Sequence, residues 1–193
     1  MKKIRDIEFE LIERIKGGDT SEFRILVDKY KDVSFSLACS ILKNEQDAED
    51  ALQLSFIKAF KGLVSFSYKS SFSTWLFKIV VNTCKTKYKN QKRDNQLLDL
   101  DSCSNNDLSE NITPFNEINL RERKEAINKV LGMINVDESL LLQLFYLAEL
   151  SINEIQEITG YKDSKIKVTL LRARKSFRKE LEKLYGFEIT LLS

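Results

Sequence analysis

Apolar residues return at three- and four-residue intervals along nearly the whole chain, the period of a buried helical face. Ile4, Ile7, Leu11, Ile12 and Ile15 mark a first helix over residues 5–16, stopped at Gly17-Gly18. Asp19 to Ser21 supply caps for a second, with Phe23, Leu26, Val27 and Tyr30 on one face, continuing through Val33, Phe35, Leu37, Ala38, Ile41 and Leu42. Asn44 is a break. A third helix over Asp47–Phe60 turns Ala48, Ala51, Leu52, Ser55, Phe56 and Ala59 inward. Asp47, Glu49, Asp50, Gln53 and Lys58 face outward, with the acids in the first turn, where the helix dipole favours them. After a serine-rich loop over residues 62–71, Trp75, Leu76, Ile79, Val80 and Thr83/Cys84 form the seam of a fourth helix over residues 72–93.

The pattern resumes at residue 120. Leu120, Ile127, Val130, Leu131 and Ile134 give an amphipathic helix, and Ser139 to Leu150 an apolar one expected to be buried. Ser151-Ile152-Asn153-Glu154 reads as a capping box. The short helix that follows, Ser151–Thr159, ends at Gly160, a residue suited to the left-handed stop. Asp163 or Ser164 then caps a long helix from Lys165 to about Tyr185. Helix, glycine turn and helix at this spacing form a helix-turn-helix. One proline and six glycines in 193 residues fit the same reading. The predicted fold is all-α: two small helical domains, residues 1–93 and 119–193, joined by a flexible acidic linker over 94–118.

Charge sharpens this division. Residues 1–93 hold 18 basic and 12 acidic side chains, residues 94–118 six acids and no base, and residues 119–193 13 bases and 11 acids. The linker acids are Asp94, Asp99, Asp101, Asp107, Glu110 and Glu117, in an Asn/Ser-rich stretch that holds the only proline. From Lys78 to Arg93 there are six bases and no acid, beside Phe72, Trp75, Phe77 and Tyr88. Rings for stacking and cations for phosphates suit single-stranded nucleic acid. The plain alternative is that Phe72 and Trp75 are core and the lysines solvated. Residues 162–183 carry nine bases against Asp163, Glu180 and Glu182, a one-sided charge that favours duplex DNA over the plain alternative of a structural helix pair.

Other chemistry is poorly supplied. The chain has no histidine, so the commonest general base and metal ligand is missing. There is no Gly-rich phosphate loop and no carboxylate cluster at metal spacing, so no enzyme activity and no cofactor or metal are expected. Cys39, Cys84 and Cys103 are odd in number and far apart, which fits reduced cytoplasmic thiols. No run has the length for a signal peptide or membrane insertion.

At two places the residues resemble a known family. FRILVDKYKDVSFSLACSILKNEQDAEDALQLSFIKAF and FSTWLFKIVVNTCKTKYK resemble the first conserved domain of extracytoplasmic-function (ECF) sigma factors. LSINEIQEITGYKDSKIKVTLLRARKSFRKEL resembles their second. The resemblance implies a cytoplasmic protein that joins core RNA polymerase, at the clamp of the largest subunit and the flap of the second-largest. It also implies promoter DNA and an anti-sigma factor as partners. Asp47, Glu49, Asp50 and Gln53 would dock on the clamp. Trp75, Lys78, Asn82, Lys85, Lys87 and Lys89, with the preceding loop, would take the melted −10 element. Lys162, Ser164, Lys165, Lys167, Thr169, Arg172 and Arg174 would meet the −35 element. The linker would thread toward the RNA exit channel.

Several positions depart from the family pattern. Val81 stands where an arginine is usual and Thr86 where an aspartate is usual. Gln156, Lys165, Val168 and Thr169 replace the typical alanine, threonine, serine and arginine, and Asn135-Val136 the typical Leu-Pro. Base preference should therefore differ from the family norm. A helix-turn-helix regulator acting without polymerase would explain residues 139–183 but leave the acidic-tipped and the aromatic-basic helices without a purpose.

Overall fold

The computed structural model describes residues 2–97 and 120–185, and its regular elements are helical. The first region holds α1 (Lys2–Lys16), a 3-10 turn at Thr20–Glu22, α2 (Phe23–Leu42), α3 (Glu45–Gly62) and α4 (Phe72–Leu97). The second holds α5 (Leu120–Met133), α6 (Val136–Leu142), a π-helical turn (Gln143–Leu147), α7 (Ile152–Thr159) and α8 (Asp163–Tyr185).

In the first region α2, α3 and α4 pack on one another. Small residues make the close approach possible: Ala48, Ala51, Ser55 and Ala59 line the buried side of α3. Leu26 and Leu37 from α2 and Leu76, Phe77 and Val80 from α4 fill the space between, each essentially inaccessible. Burial of such side chains contributes about 1.5–3 kcal/mol each over leaving them in water. The α2–α3 corner is set by two adjacent residues. Lys43 closes α2 in the left-handed conformation (φ 55°), and Asn44 caps α3 by accepting the Asp47 amide at 2.9 Å.

In the second region α6 and α5 lie against α8, and α7 crosses it. Ser151 and Glu154 form the expected capping box, and Gly160 ends α7 at φ 74°. Ile155, Ile166, Leu170 and Ala173 are the buried residues that hold the pair together.

Several boundaries differ from the sequence reading. Helix α4 runs on through Leu97, four residues past Arg93, and the remainder of the acidic stretch, 98–118, lies outside the described residues. Helix α6 begins at Val136, not Ser139, because Asn135 caps it by accepting the Asp137 amide at 2.9 Å. That asparagine stands where the family has its leucine, so the departure does local work. The apolar run was expected to be buried to Leu150. Instead the π turn rotates its last residues, leaving Tyr146 and Leu147 exposed.

The two regions also pack together. Helix α7 lies on α4, while α5, α6 and the π turn meet α2, so the buried side chains form one continuous cluster.

Candidate nucleic-acid interface

Helix α3 presents two of the expected features in altered proportion. Glu49, Asp50 and Gln53 are exposed, but Asp47 is committed to a clasp with α4. Its carboxylate meets Lys87 Nζ at 2.9 Å and accepts from Gln91 Nε2 at 2.8 Å, and Lys87 also reaches Asp50 at 3.0 Å. The Lys87 and Gln91 hydrogen bonds hold the Asp47 pKa below the ordinary carboxylate value. Burial opposes the charge on Lys87, and its hydrogen bonds to Asp47 and Asp50 outweigh this and raise its pKa. Two residues assigned to separate partners thus neutralise each other. Beside Asp50 and Gln53, Leu54, Ile57, Phe60 and Val64 are exposed along the same face of α3 and its 3-10 extension. The sequence reading passed over these apolar residues. Their spacing opposite Ala48, Ala51, Ser55 and Ala59 carries the signal.

On α4, Phe72 and Phe77 are core, 3% and 1% exposed, and are not free to stack on bases. Val81, at the position where the resemblance has an arginine, is fully buried. Trp75 is half-buried. Its ring packs between Phe66 and Phe72, with centroids at 5.0 and 5.7 Å, and closes on Gly62, where a Cβ would lie 3.2 Å from the indole. Asn82 and Lys89 are exposed, and Lys78 and Lys85 half-buried. Burial lowers the Lys85 pKa, and its ammonium lies over the Tyr161 ring at 5.5 Å.

The loop ahead of α4 is tied to α1. Lys16 Nζ donates to the Phe66 carbonyl at 2.9 Å and sits 4.4 Å above the Tyr68 ring. Tyr68, at φ 58°, donates its hydroxyl to Glu13 at 2.6 Å and stacks beside Phe9. Phe9, Tyr68, Lys69, Ser70 and Ser71 line one side of a cleft of about 780 Å3, and Ser151, Asn153, Glu154 and Glu157 the other. Tyr68 and Phe9 are candidate residues that the sequence pattern does not single out, since Tyr68 lies in a loop and Phe9 falls off the buried face of α1.

Helix α8 buries Ile166, Leu170 and Ala173 and turns Ser164, Val168, Arg172, Lys175 and Lys179 outward. Val168, Lys175 and Lys179 belong on the candidate DNA face by this geometry. Lys162 is exposed in the preceding turn, and Lys167 is exposed and paired with Asp163 at 2.8 Å. Lys165 lies 3.3 Å from the Tyr161 ring centroid and 3.7 Å from Asp137. Thr169 is half-buried. Arg174 turns toward the π turn, donating Nε to the Tyr146 hydroxyl at 2.8 Å. Together with Ile127, Leu131, Leu147 and Phe177 it edges a separate apolar groove.

Among the described residues no cluster of His, Cys, Asp or Glu is disposed to hold a metal ion, and no helix is long and apolar enough to cross a membrane. Burial pushes the Cys39 thiol up to about 11 and the Cys84 thiol up to about 12.

The family model for Sigma-70 region 2 matches residues 26–94. An ECF RNA polymerase sigma-E factor of Salmonella typhimurium is 30% identical over 180 residues, covering 90% of this chain and 94% of its own. The ECF RNA polymerase sigma factor SigW of Bacillus subtilis is 29% identical over 180 residues, covering 90% and 96%. The fold is shared with RpoE in its complex with the anti-sigma factor NepR from Bartonella quintana, at TM-score 0.63 and 23% identity over 84% of this chain and 98% of that one. It is shared also with CnrH bound to the cytosolic domain of CnrY, at TM-score 0.61 and 19% identity over 90% and 96%. On the extent and identity of these matches, the chain belongs to the ECF RNA polymerase sigma factors.

Proposed function

We propose that this sigma factor, which directs RNA polymerase to promoters for transcription initiation, divides that work among three surfaces and performs no chemistry itself. The exposed face of α3 docks on core polymerase through Glu49, Asp50 and Gln53, backed by Leu54, Ile57 and Phe60. The cleft ahead of α4, with Trp75, Asn82 and Lys89, takes the melted −10 strand. The outward face of α8, from Ser164 to Lys179, takes the −35 duplex, its lysines and arginines on phosphates and its first turn toward base edges.

The observation that carries this reading is the uncovered face of α3. Three large apolar side chains and two acids stand exposed on one helix, a combination suited to a protein partner. Working beside polymerase, the chain acts in the cytoplasm, and the neighbours solved with anti-sigma factors support a regulator of that class for this chain. The test is capture of purified core polymerase by the wild type and by the Glu49→Lys/Asp50→Lys variant. Binding should weaken about tenfold or more, with the helical content unchanged. Equal capture would remove α3 as the docking surface.

A further inference from the structure

Helix α8 carries an apolar residue where its period calls for a polar one. Ile166, Leu170 and Ala173 are buried, and Phe177 packs on the same core. At about 100° per residue, Val168 points almost directly away from that stripe. It is 48% exposed, and Leu171, three residues on, is 54% exposed. Ser164 stands one turn before Val168 and Arg172 one turn after, with Lys175 continuing the line, all of them exposed. A valine there does little for the helix itself. Its branched Cβ makes it a weaker helix former than alanine, and an exposed side chain gains little from burial. The two nearest lysines are turned aside. Lys167 Nζ pairs with Asp163 at 2.8 Å, and Lys165 Nζ lies 3.3 Å from the Tyr161 ring centroid and 3.7 Å from Asp137. In its second turn the outermost line of α8 therefore presents the methyl groups of Val168, fixed by a side chain with one strongly preferred rotamer in a helix.

In the major groove the one apolar group on a standard base edge is the 5-methyl of thymine. Valine has no donor or acceptor. Set against the amino group of cytosine or adenine, or the oxygen of guanine, it would cover a polar edge without bonding it, which costs free energy. Against a methyl it covers only apolar surface. Recognition helices meet base edges near their N-terminal end, and Val168 falls in the second turn of a helix that begins at Asp163. We propose that Val168, with Leu171 beside it, reads a thymine in the −35 element through its 5-methyl group. The proposal rests on the assignment of α8 to duplex DNA made above. Serine, the residue usual at this position in the family, bonds several base edges, whereas valine narrows the choice to one. Lys175 and Lys179, farther along the same line, hold phosphates.

The test uses holoenzyme assembled from purified core polymerase and the full chain. Its probe is a duplex promoter carrying the −35 sequence that the wild type selects from a randomised library. Each thymine of that element, on either strand, is replaced in turn by uracil, which keeps every hydrogen-bonding group and loses only the methyl. Losing a methyl also alters the stiffness of the DNA. The readout is therefore the difference between wild type and Val168→Ala on the same pair of duplexes. Alanine is the better helix former and the position is exposed, so this variant keeps the fold. Lys175→Ala is the comparison on the phosphate side.

At one thymine the wild type should lose about three- to fivefold in affinity on going to uracil, the effect of one methyl no longer buried. Val168→Ala should bind the thymine duplex more weakly by a similar factor and be indifferent to uracil there. Lys175→Ala should bind more weakly and keep the uracil effect. Cytosine placed at that position should gain from 5-methylation with the wild type and not with Val168→Ala. A selected −35 motif that lacks thymine, ignores uracil at every thymine, or responds equally with Val168→Ala would overturn the thymine contact. Val168 and Leu171 would then belong to a patch for a protein partner. Selection of no −35 motif at all would instead remove the assignment of α8 to DNA, and the proposal with it.

Discussion

Lysines 85, 87 and 89 look alike in the sequence, and the structure separates them sharply. A lysine that contacts a phosphate of a single strand releases about 0.7 of a counterion, and so adds about 0.7 to the slope of log affinity against log salt. Three equivalent lysines would add about 2. But Lys87 is held between Asp47 at 2.9 Å and Asp50 at 3.0 Å, so a phosphate would have to displace two carboxylates to gain one contact. Lys89 is exposed on the same helix, one turn short of Arg93. Lys89→Ala should therefore reduce the slope by about 0.7, an affinity change that differs by about two- to threefold between 50 and 200 mM salt. Lys87→Ala should leave it nearly unchanged. Both keep the contact between the two regions, so the comparison isolates the lysine. The assay is anisotropy titration of a single-stranded oligonucleotide over a salt series. Equal reductions for the two variants would refute the clasp as the factor that decides which lysine is available.

Three further expectations follow from the same geometry. The Asp47 pKa is lowered by Lys87 and Gln91, so the clasp contributes stability above the unfolded carboxyl value and loses it as pH falls through the lower, folded one. Thermal melts from about pH 5 down to about pH 3 should show this loss in wild type and not in Asp47→Asn. With thiols pushed up to about 11 and about 12, Cys39 and Cys84 should resist alkylation near neutral pH in the native protein and react after denaturation, as followed by peptide mass spectrometry. Lys165→Ala should change upstream base preference by about 1–3 kcal/mol at one base pair, whereas Lys175→Ala should weaken all upstream sequences alike. Selection from a randomised −35 library by the holoenzyme distinguishes the two.

The helices were legible in the sequence because their signals are local. Asn44, the Ser151/Glu154 box and Gly160 each act within four residues, and the three-four spacing of Leu76, Val80 and Cys84 names its own buried face. The run from Leu140 to Leu150 failed this test. It is apolar on every side, so no period fixes which residues turn outward, and the π turn exposes Tyr146 and Leu147. Phe77 misled for a related reason: an aromatic beside lysines reads as a stacking platform, although the opposite side of the same helix is core, and Phe72 follows the core alternative that the pattern also offered.

The site was half legible. Outward positions of α3 and α8 follow from period alone, as Asp50, Gln53 and Arg172 show. Pairings across long separations do not, because Lys87 with Asp47 joins residues 40 positions apart and Thr74 with Glu154 joins residues 80 apart. Nothing in either local pattern records its partner. Tyr68 lies beyond reach for a similar reason, since its place is set by Glu13, Lys16 and Phe9 on a helix more than 50 residues earlier.

If the chain supplies promoter recognition to RNA polymerase through two separate DNA surfaces, its effect is read in where transcription starts. Transcription from a library of randomised promoters by purified core polymerase, with and without this chain, tests it most directly. Start sites should depend on the chain and share two upstream motifs, one near −10 and one near −35. Lys165→Ala should alter only the latter, and Glu49→Lys/Asp50→Lys should abolish both. Start sites unchanged by the chain, or a single motif that persists with the Glu49→Lys/Asp50→Lys variant, would contradict it.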